Sequence, residues 1–528
     1  MKRLFPVLAP FVLAVVGCGG NGIESSTELD VDPVAIETHI QQLASDEMEG
    51  RAPGTAGEEL ATNYIAEHFR SIGLDTSFQD VPLVGTRGTP TELTLTKGAE
   101  SRTMAYRDDF MAWTTRETAS IALDPAEIIF AGYGTVAPEY DWNDFEGYDV
   151  DGKVLLLLVG DPPLEDGHMF GGEAMTYYGR WTYKYEEAAR QGARGAFIVH
   201  ETVPAGYPWD VVSGSWSGEQ FDMVKADQGA SETGVQGWIT REAAGELAEW
   251  AGHSFEDLKQ RALDPEFRPV PFGVLASLEI ENTLRRVDSK NVVGVMEGET
   301  DEYVVFSSHW DHIGRDESLE GDQIYNGAVD NASGMAVMME IARAFTEMAT
   351  RPRRALVFLA VTAEEQGLLG SKYYAENPLF PLERTVANIN IDGANVYRKT
   401  DEIVVVGYGY TSIENTLRGV ASEQGRTVVP DPESEKGFYY RSDQFNFAKK
   451  GVPALYIDST SLEDSNKYTA DRYHKPADEF DPSWNLEGAV LDAETLIRVV
   501  LELANSVEWP EWMPGTEFKA IRDEMLRQ

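Results

Sequence analysis

The 528-residue sequence predicts an α/β protein whose main domain is a three-layer α/β/α sandwich around a largely parallel sheet. Three segments favour this fold class: EYVVFSSHWD, ALVFLAVTAEEQ and NINIDGAN. Each begins as an apolar, β-rich run and ends in polar residues. Buried parallel strands have such continuous apolar runs, and open α/β sheets carry functional side chains at the carboxyl ends of their strands.

The composition is that of a folded protein, with 42% hydrophobic and 25% charged residues. This length allows two or three domains with cores that need no disulfides. The formal net charge of -45 argues against nucleic acid and anionic membrane surfaces as partners, because both repel an acidic protein. The charge is instead typical of solubility in a salty or extracellular setting.

The N-terminal segment MKRLFPVLAPFVLAVVGCGG has the form of an export signal, with two basic residues before an apolar run of about a dozen residues. The run is too short to span a bilayer. The only cysteine, Cys18, ends it and resembles the lipidated cysteine of a bacterial lipobox. A secretory signal with a chance cysteine is the alternative. We expect a signal peptide over 1–18, a tether over 19–30, and a periplasm-facing or outer-membrane lipoprotein, or otherwise a secreted protein.

Two helices are predicted after the tether, one from Pro33 and a second that stops at Gly73. The second helix is expected to turn four apolar side chains to one side: Leu60, Tyr64, Ile65 and Phe69. Further along, GVLASLEIE, SKNVVGVMEG and EYVVFSSHWD are predicted to follow one another as strands of the main sheet. LDAETLIRVVLELANSV is predicted to form an amphipathic helix that covers one face of that sheet.

The middle of the chain has a different pattern. Short apolar strands, such as IIFAGYGT, KVLLLLVGD and GAFIVHE, alternate with aromatic and glycine-rich loops. The segment KVLLLLVGD and the helix end and strand that follow resemble a protease-associated domain. We therefore predict a β-rich insert of this type over 119–271, within a main domain formed by 31–118 and 272–528.

Two histidines and several carboxylates at the sheet edge predict a metal site, and nitrogen with oxygen ligands suits zinc. His309 offers a ligand, and Asp311 can orient its ring through the other nitrogen. Asp330, on a tight loop at a helix start, has two oxygens and can bridge two metals. Glu364 and Glu365 are adjacent at a strand end, so one can bind metal while the other faces a water molecule.

Five motifs occur in order between His309 and Asp478: H-x-D, D-N-x-S-G, E-E-x-G-L-x-G-S, I-x-x-D and Y-H-x-x-x-D. Together with EGRAPGTAGEELATNYI and SDQFNFAKKGVPAL, they resemble the co-catalytic zinc exopeptidases, the family of bacterial leucyl aminopeptidases, aminopeptidase Y and glutamate carboxypeptidase. This resemblance covers most of the chain after the tether, with the insert matching more loosely. It implies the phosphorylase/hydrolase-like fold of zinc peptidases.

The resemblance implies a role for each motif position: His309 and Asp392 bind one zinc, Glu365 and His474 bind a second, Asp330 bridges the two, Glu364 is the general base, and Asp311 supports His309. His312 is expected to be exposed or to contact a ligand rather than to bind metal itself. Tyr439, Tyr440 and Arg441 are predicted either to line the substrate pocket or to pack in the core.

The implied function is that of a di-zinc aminopeptidase, which removes N-terminal residues from peptides with a free N-terminus. A water held by the two metals is the nucleophile and Glu364 accepts its proton. A carboxypeptidase acting on acidic C-terminal residues is the alternative within the family, and would need a basic pocket. A peptide-binding lipoprotein without catalysis is the alternative from another class. The family admits other divalent metals, and the sequence leaves the oligomeric state open.

Overall fold

The computed structural model describes residues 31–163, 170, 172 and 174–527. The predicted signal peptide, Cys18 and the tether over 19–30 lie outside the described residues. The described residues form helices with these bounds: α1 (Pro33–Leu43), α2 (Ala56–Ser71), α3 (Trp181–Arg190), α4 (Thr202–Ala205), α5 (Trp209–Ser215), α6 (Arg241–Ala251), α7 (Phe255–Arg261), α8 (Gly334–Thr346), α9 (Leu369–Glu376), α10 (Ile413–Glu423), α11 (Gln444–Lys449), α12 (Leu462–Asp471), α13 (Glu487–Asn505) and α14 (Lys519–Met525).

The strands have these bounds: β1 (Asp75–Pro90), β2 (Leu93–Lys97), β3 (Glu100–Met104), β4 (Phe110–Trp113), β5 (Ser120–Phe130), β6 (Val136–Ala137), β7 (Trp142–Asn143), β8 (Val154–Leu158), β9 (Gly195–His200), β10 (Gln220–Met223), β11 (Val235–Thr240), β12 (Val270–Met296), β13 (Tyr303–His309), β14 (Gly314–Arg315), β15 (Ile324–Tyr325), β16 (Ala355–Val361), β17 (Thr385–Asn390), β18 (Glu402–Val405), β19 (Thr427–Pro430) and β20 (Ala454–Asp458).

Within the described ranges, sixteen strands form one mixed sheet. Its main path runs β19-β18-β20-β17-β13-β16-β12-β5-β8-β9-β11-β4, and β1, β2, β3 and β10 pair beside it. Strand β13 is parallel to both β16 and β17, and β17 is parallel to β20. The carboxyl ends of β13, β16 and β17 therefore meet at one edge, as the three apolar segments predicted.

Helices cover both faces of this part of the sheet. On one face, the rings of Phe306 and Phe358 stack 5.1 Å apart, and each contacts a helix through a second phenylalanine 6.2 Å away, Phe345 of α8 and Phe69 of α2. On the opposite face, Val305, Val357 and Leu359 of the sheet pack in one cluster with Tyr374 of α9 and Phe447 of α11. Because alternate strand residues point to opposite faces, both faces need a cover. The predicted α/β class with three layers is confirmed.

The predicted helices are present, with one difference in orientation. Helix α1 starts at Pro33, after Asp32 accepts a hydrogen bond from the backbone N–H of Val34. In α2 the buried face runs through Ala61, Ile65 and Phe69, whereas Leu60 is 48% exposed. Each residue turns a helix by about 100°, so the residue beside Ala61 points away from the core. None of the helices in the described ranges is both long and apolar enough to cross a bilayer.

Strand β12 runs without a break from Val270 to Met296, although the sequence predicted two separate strands there. Its first half pairs with β5 and its second half with β16. Strand β1 runs antiparallel along the second half, from the pair Asp75–Val295 to the pair Pro90–Ile280. Strands β2 and β4, which precede the predicted insert, pair with β12 and β11. The division into a main domain and a protease-associated insert stays a prediction.

Candidate metal centre

Four of the predicted site residues lie at the shared edge of three parallel strands. His309 is the last residue of β13, Glu364 and Glu365 follow the end of β16, and Asp392 follows the end of β17. The strands themselves are buried along almost their whole length. The local sequence thus changes from apolar to polar where each strand leaves the core. Because the three strands end at the same edge, the four side chains lie close together.

The other two predicted ligands come from loops. Asp330 lies in an irregular turn over Ala328–Ser333, directly before α8. Gly327 precedes this turn with a φ of +57°, and a Cβ at that position would lie 2.3 Å from the carbonyl oxygen of Asp330. Only glycine fits there. His474 follows α12 with a side chain that is 38% exposed, and it forms the open side of the cluster.

The two oxygens of Asp330 face different histidines. Oδ1 lies 3.3 Å from Nε2 of His309, and Oδ2 lies 3.3 Å from Nε2 of His474. Each histidine also has a second carboxylate beside the same nitrogen: Asp392 at 3.2 Å from His309, and Glu365 at 3.0 Å from His474. The arrangement forms two nitrogen–oxygen groups joined by one carboxylate.

His312 is part of this cluster and is buried, so the expectation of exposure is wrong. Its Nδ1 lies 2.5 Å from Oε1 of Glu365, which agrees with the expected contact to a ligand. Its Nε2 has no hydrogen-bond partner among the described residues. Two sets of side chains have potential ligand atoms within 4.8 Å of one another: His309 with Glu364 and Asp392, and His312 with Asp330 and Glu365. Sequence reasoning therefore left out one histidine that is placed as a potential ligand.

The carboxylates dominate the electrostatics of the cluster. Burial by itself lowers the pKa of an imidazole. Neighbouring carboxylates outweigh that effect, and they raise the pKa of His309 well above its usual value and that of His474 to about 10. Burial raises the pKa of Glu364 well above its usual value. The negative charge of the carboxylates thus favours the protonated forms of these side chains. A divalent cation would balance the same negative charge. Nitrogen and oxygen donors in this arrangement fit zinc.

Asp311 positions the two glutamates more directly than it positions His309. Its carboxylate accepts hydrogen bonds from the backbone N–H groups of Glu364, at 3.1 Å, and Glu365, at 3.4 Å. Nδ1 of His309 lies 3.2 Å from the carbonyl oxygen of Asp311 and 3.8 Å from its carboxylate. Burial raises the pKa of Asp311 to about 8. Asp311 therefore connects the end of β13 to the loop that carries Glu364 and Glu365.

Asp478 holds the Asp330 loop in place. Its buried carboxylate accepts hydrogen bonds from the backbone N–H groups of Val329 and Asp330, each at 3.1 Å, and from the hydroxyl of Tyr468 at 3.1 Å. Its own carbonyl accepts the N–H of Ala328 at 2.9 Å. The motif Y-H-x-x-x-D contained this residue, but the sequence did not indicate what it does.

Two more residues that sequence reasoning missed brace the same edge. The buried guanidinium of Arg51 donates hydrogen bonds to the carbonyls of Leu43, Trp310, Asn326 and Gly327. Burial lowers its pKa to about 10. Asn331 donates to the carbonyls at the ends of β13 and β17 and accepts the backbone N–H of Gly393 at 2.7 Å. Both lie in motifs that the family resemblance covers, which was the available signal.

A further buried carboxylate, that of Asp443, lies close to the cluster. Burial raises its pKa to about 7, with the charge of His309 acting in the opposite direction. Both of its oxygens are enclosed, and the hydroxyl of Ser371 is a neighbour that favours its charged form. Tyr439 and Tyr440, by contrast, are buried in an aromatic cluster with Phe445 and Phe518. Of the two alternatives for this pair, core packing is observed, and contact with substrate stays a prediction.

We expect Asp478→Ala to loosen the Asp330 loop, because two buried N–H groups lose their acceptor. The free energy of unfolding should fall by about 1–3 kcal/mol, and zinc affinity should fall with it. Chemical denaturation and zinc titration would measure both effects. Asp471→Ala, which removes an exposed carboxylate seven residues away at the end of α12, is the matched control and should change neither. Unchanged zinc affinity in Asp478→Ala would contradict this positioning role.

The number of bound metal ions distinguishes the roles of His312 and His474. We expect His474→Ala to lose one of two bound zinc ions, because its Nε2 faces both Asp330 and Glu365. His312→Ala should keep both ions with an affinity that is about 10–100-fold weaker, because it only orients Glu365. Atomic absorption on dialysed protein measures the count, with His253→Ala as control. The reverse result would assign the metal to His312.

Comparisons with known proteins match the part of the chain that carries this site. Residues 291–496 match Peptidase family M28. Aminopeptidase NAALADL1 of Mus musculus is 38% identical over 140 residues, which are 25% of this chain and 17% of that protein. The Glutamate carboxypeptidase 2 homolog of Caenorhabditis elegans is 26% identical over 393 residues, which are 63% of this chain and 45% of that protein. The chain thus matches less than half the length of either relative.

A solved structure supports the fold. The aminopeptidase from Aneurinibacillus sp. strain AM-1 superposes with a TM-score of 0.54 at 22% identity, over 91% of this chain and 95% of that one. At this identity the likeness establishes the architecture. The family match in turn spans every predicted ligand from His309 to His474. Over residues 291–496 this chain is therefore similar to peptidase family M28.

Proposed function

We propose that the protein is a zinc-dependent aminopeptidase that removes N-terminal residues from peptides, with two zinc ions per chain. The observation that carries this proposal is the position of Asp330, whose two oxygens face His309 and His474 at 3.3 Å each. His309 and Asp392 would hold the first ion, Glu365 and His474 the second, and Asp330 both. The match to peptidase family M28 supports peptide bonds as the target.

Zinc bound here would lower the pKa of a water molecule and stabilise negative charge on the scissile carbonyl oxygen. Glu364 would accept a proton from that water and then donate it to the nitrogen of the leaving amine. Its carboxylate lies 3.9 Å from Nε2 of His309, one of the residues that would hold the first ion. Burial raises its pKa, which suits a group that has to hold a proton between two steps.

The charge of the cluster favours a substrate amino group over a carboxylate. When fully ionised, the carboxylates of Asp330, Glu364, Glu365, Asp392 and Asp443 carry one more negative charge than two zinc ions balance. A protonated N-terminus would be attracted to this region and a C-terminal carboxylate repelled.

Hydrolysis of aminoacyl 4-nitroanilides, each with a free or an acetylated amino group, tests the proposal. We expect purified protein to cleave only the free-amine substrates, to lose activity with a chelator and to regain it with zinc. Cleavage of the blocked substrates would contradict an aminopeptidase. Bound zinc without any cleavage would favour the carboxypeptidase alternative, and absence of zinc would favour a peptide-binding lipoprotein.

Glu364→Gln should keep both zinc ions and lose turnover by a factor of about 10²–10⁴, because the ligands remain and only the base is removed. Zinc analysis and the free-amine assay on the same sample measure the two effects. Glu317→Gln removes an exposed glutamate nearby and serves as the control. Near wild-type turnover in Glu364→Gln would reject the assignment of the base.

We further propose that the chain is exported and anchored through lipid on Cys18, so that any membrane contact is made through this anchor. Cys18→Ala should abolish incorporation of an alkyne-labelled fatty acid and move the protein from the membrane fraction to the soluble fraction of a bacterial host. The control Ser26→Ala should do neither. Labelling that persists in Cys18→Ala would reject the lipid anchor.

A further inference from the structure

The loop that carries Glu364 and Glu365 connects the end of β16 to the start of α9, and residues 363–368 are called the glutamate loop below. Its first residue, Ala363, is fully buried and has a φ of +52°. A residue with a Cβ rarely adopts this left-handed conformation, because the Cβ crowds the following carbonyl oxygen. Contacts from other parts of the protein therefore have to hold the backbone in this turn, directly before Glu364.

Asn291 of β12 contacts both ends of the glutamate loop. Its Oδ1 accepts the backbone N–H of Thr362 at 3.0 Å, and its Nδ2 donates to the carbonyl oxygen of Gly370 at 3.0 Å. Nδ2 also donates to Oε1 of Gln79 at 3.0 Å, which fixes the orientation of the amide. At Gly370 an added Cβ would lie 2.3 Å from the carbonyl oxygen of Thr362. The two ends of the loop thus approach more closely than any residue other than glycine allows.

A second set of hydrogen bonds holds the side chain of Thr362. Its hydroxyl lies 2.6 Å from the hydroxyl of Ser289, which is also on β12. Ser289 donates its one hydroxyl proton to Oε1 of Glu58 at 3.0 Å, so Thr362 has to be the donor to Ser289. The other carboxylate oxygen of Glu58 accepts the backbone N–H of Gly54. A chain of hydrogen bonds therefore starts two residues before Glu364 and ends on a carboxylate in the first turn of α2.

The side chains that make these contacts lie in the core. Each of them is at most 2% exposed: Glu58, Ser289, Asn291 and Thr362. Hydrogen bonds are electrostatically stronger in such surroundings than in water, and an unpaired polar group there is costly. Glu364 and Glu365, by contrast, are half-buried and face the metal centre. The fixed part of the chain thus ends at Ala363, and the residues with chemical roles begin immediately after it.

We propose that Asn291 and the hydrogen-bonded chain of Thr362, Ser289 and Glu58 form a clamp that positions Glu364 for proton transfer and Glu365 for metal binding. The proposal rests on the proposed function, since it concerns the base and the ligand assigned there. A general base acts only within hydrogen-bond reach of the proton that it accepts, and a displacement of about 1 Å can cost about 10²-fold in rate. The clamp acts through the backbone of Thr362 and Ala363, so its members are positioning residues.

The variant Thr362→Val removes the hydroxyl and keeps the shape of the side chain. At saturating zinc it should lower kcat for the free-amine nitroanilides by about 10-fold or more and leave KM within about 3-fold, because the base acts in the chemical step and not in substrate binding. Thr362→Ser keeps the hydroxyl and should recover most of the loss. An unchanged kcat in Thr362→Val, or no recovery in Thr362→Ser, would overturn the proposal.

The matched control for the loss of a buried hydroxyl is Thr495→Val. Thr495 lies on α13, is fully buried and donates to the carbonyl oxygen of Leu491 at 2.7 Å. This variant should lower Tm about as much as Thr362→Val does and leave kcat unchanged. If kcat fell in both variants in proportion to Tm, stability alone would control the rate, and the positioning role would be rejected.

A double-mutant cycle tests whether Ser289 and Thr362 act as one chain. Ser289→Ala should lower kcat in the same direction as Thr362→Val, because Thr362 loses its acceptor. The double variant should cost no more than the larger single loss, since either change already breaks the chain. Losses in kcat that multiply in the double variant would mean that the two hydroxyls act separately, and would overturn the chain.

Zinc affinity separates this proposal from the proposed function. Glu365 lies on the same loop, so Thr362→Val should weaken the binding of one of two zinc ions by about 10-fold, and Thr495→Val should not. Competition with a chromogenic chelator measures this affinity without any peptide. If the wild-type protein cleaves no peptide but Thr362→Val shows this loss, the proposed function fails and the clamp stands. Equal zinc affinity in Thr362→Val and the wild-type protein would overturn the clamp, whatever the turnover.

Discussion

The carboxylate of Asp330, which faces two imidazoles at once, is the constraint on which the rest of this region depends. Its oxygens lie 3.3 Å from His309 and 3.3 Å from His474, and each imidazole has another carboxylate beside it. Placing several carboxylates in one partly buried cluster is unfavourable unless cations balance them. Protons on the histidines can do so, and the family match makes zinc the proposed cation.

Asp330 lies on a loop with little regular hydrogen bonding, and distant parts of the chain hold that loop. Asp478 accepts N–H groups from the loop, Arg51 donates to the carbonyls before it, and Asn331 joins it to the strand ends. Metal ligands have to be fixed to within a fraction of an ångström, and a loop alone does not provide that precision. The residues around the centre therefore contribute through position rather than chemistry.

Strand β12 connects the centre to the middle of the chain. It pairs with β5 in one half and with β16 in the other, so the strands that precede α3 continue the sheet that carries His309. Tyr177, just before α3, is thereby held against Tyr440, with ring centres 6.1 Å apart. The middle of the chain and the edge that carries the candidate metal centre are therefore parts of one continuous sheet.

The sequence by itself determined the α/β class and the edge of the sheet where the polar groups lie, because strand periodicity and apolar runs are local properties. Family motifs also identified six of the residues that meet there, from His309 to His474. Tertiary structure decided what depends on contacts between distant segments: the burial of His312, the orientation of Leu60, the continuity of β12 and the roles of Arg51 and Asp478. The contact of Arg51 with the carbonyl of Asn326 had no local signal, since the two residues are 275 positions apart and only the folded chain brings them together.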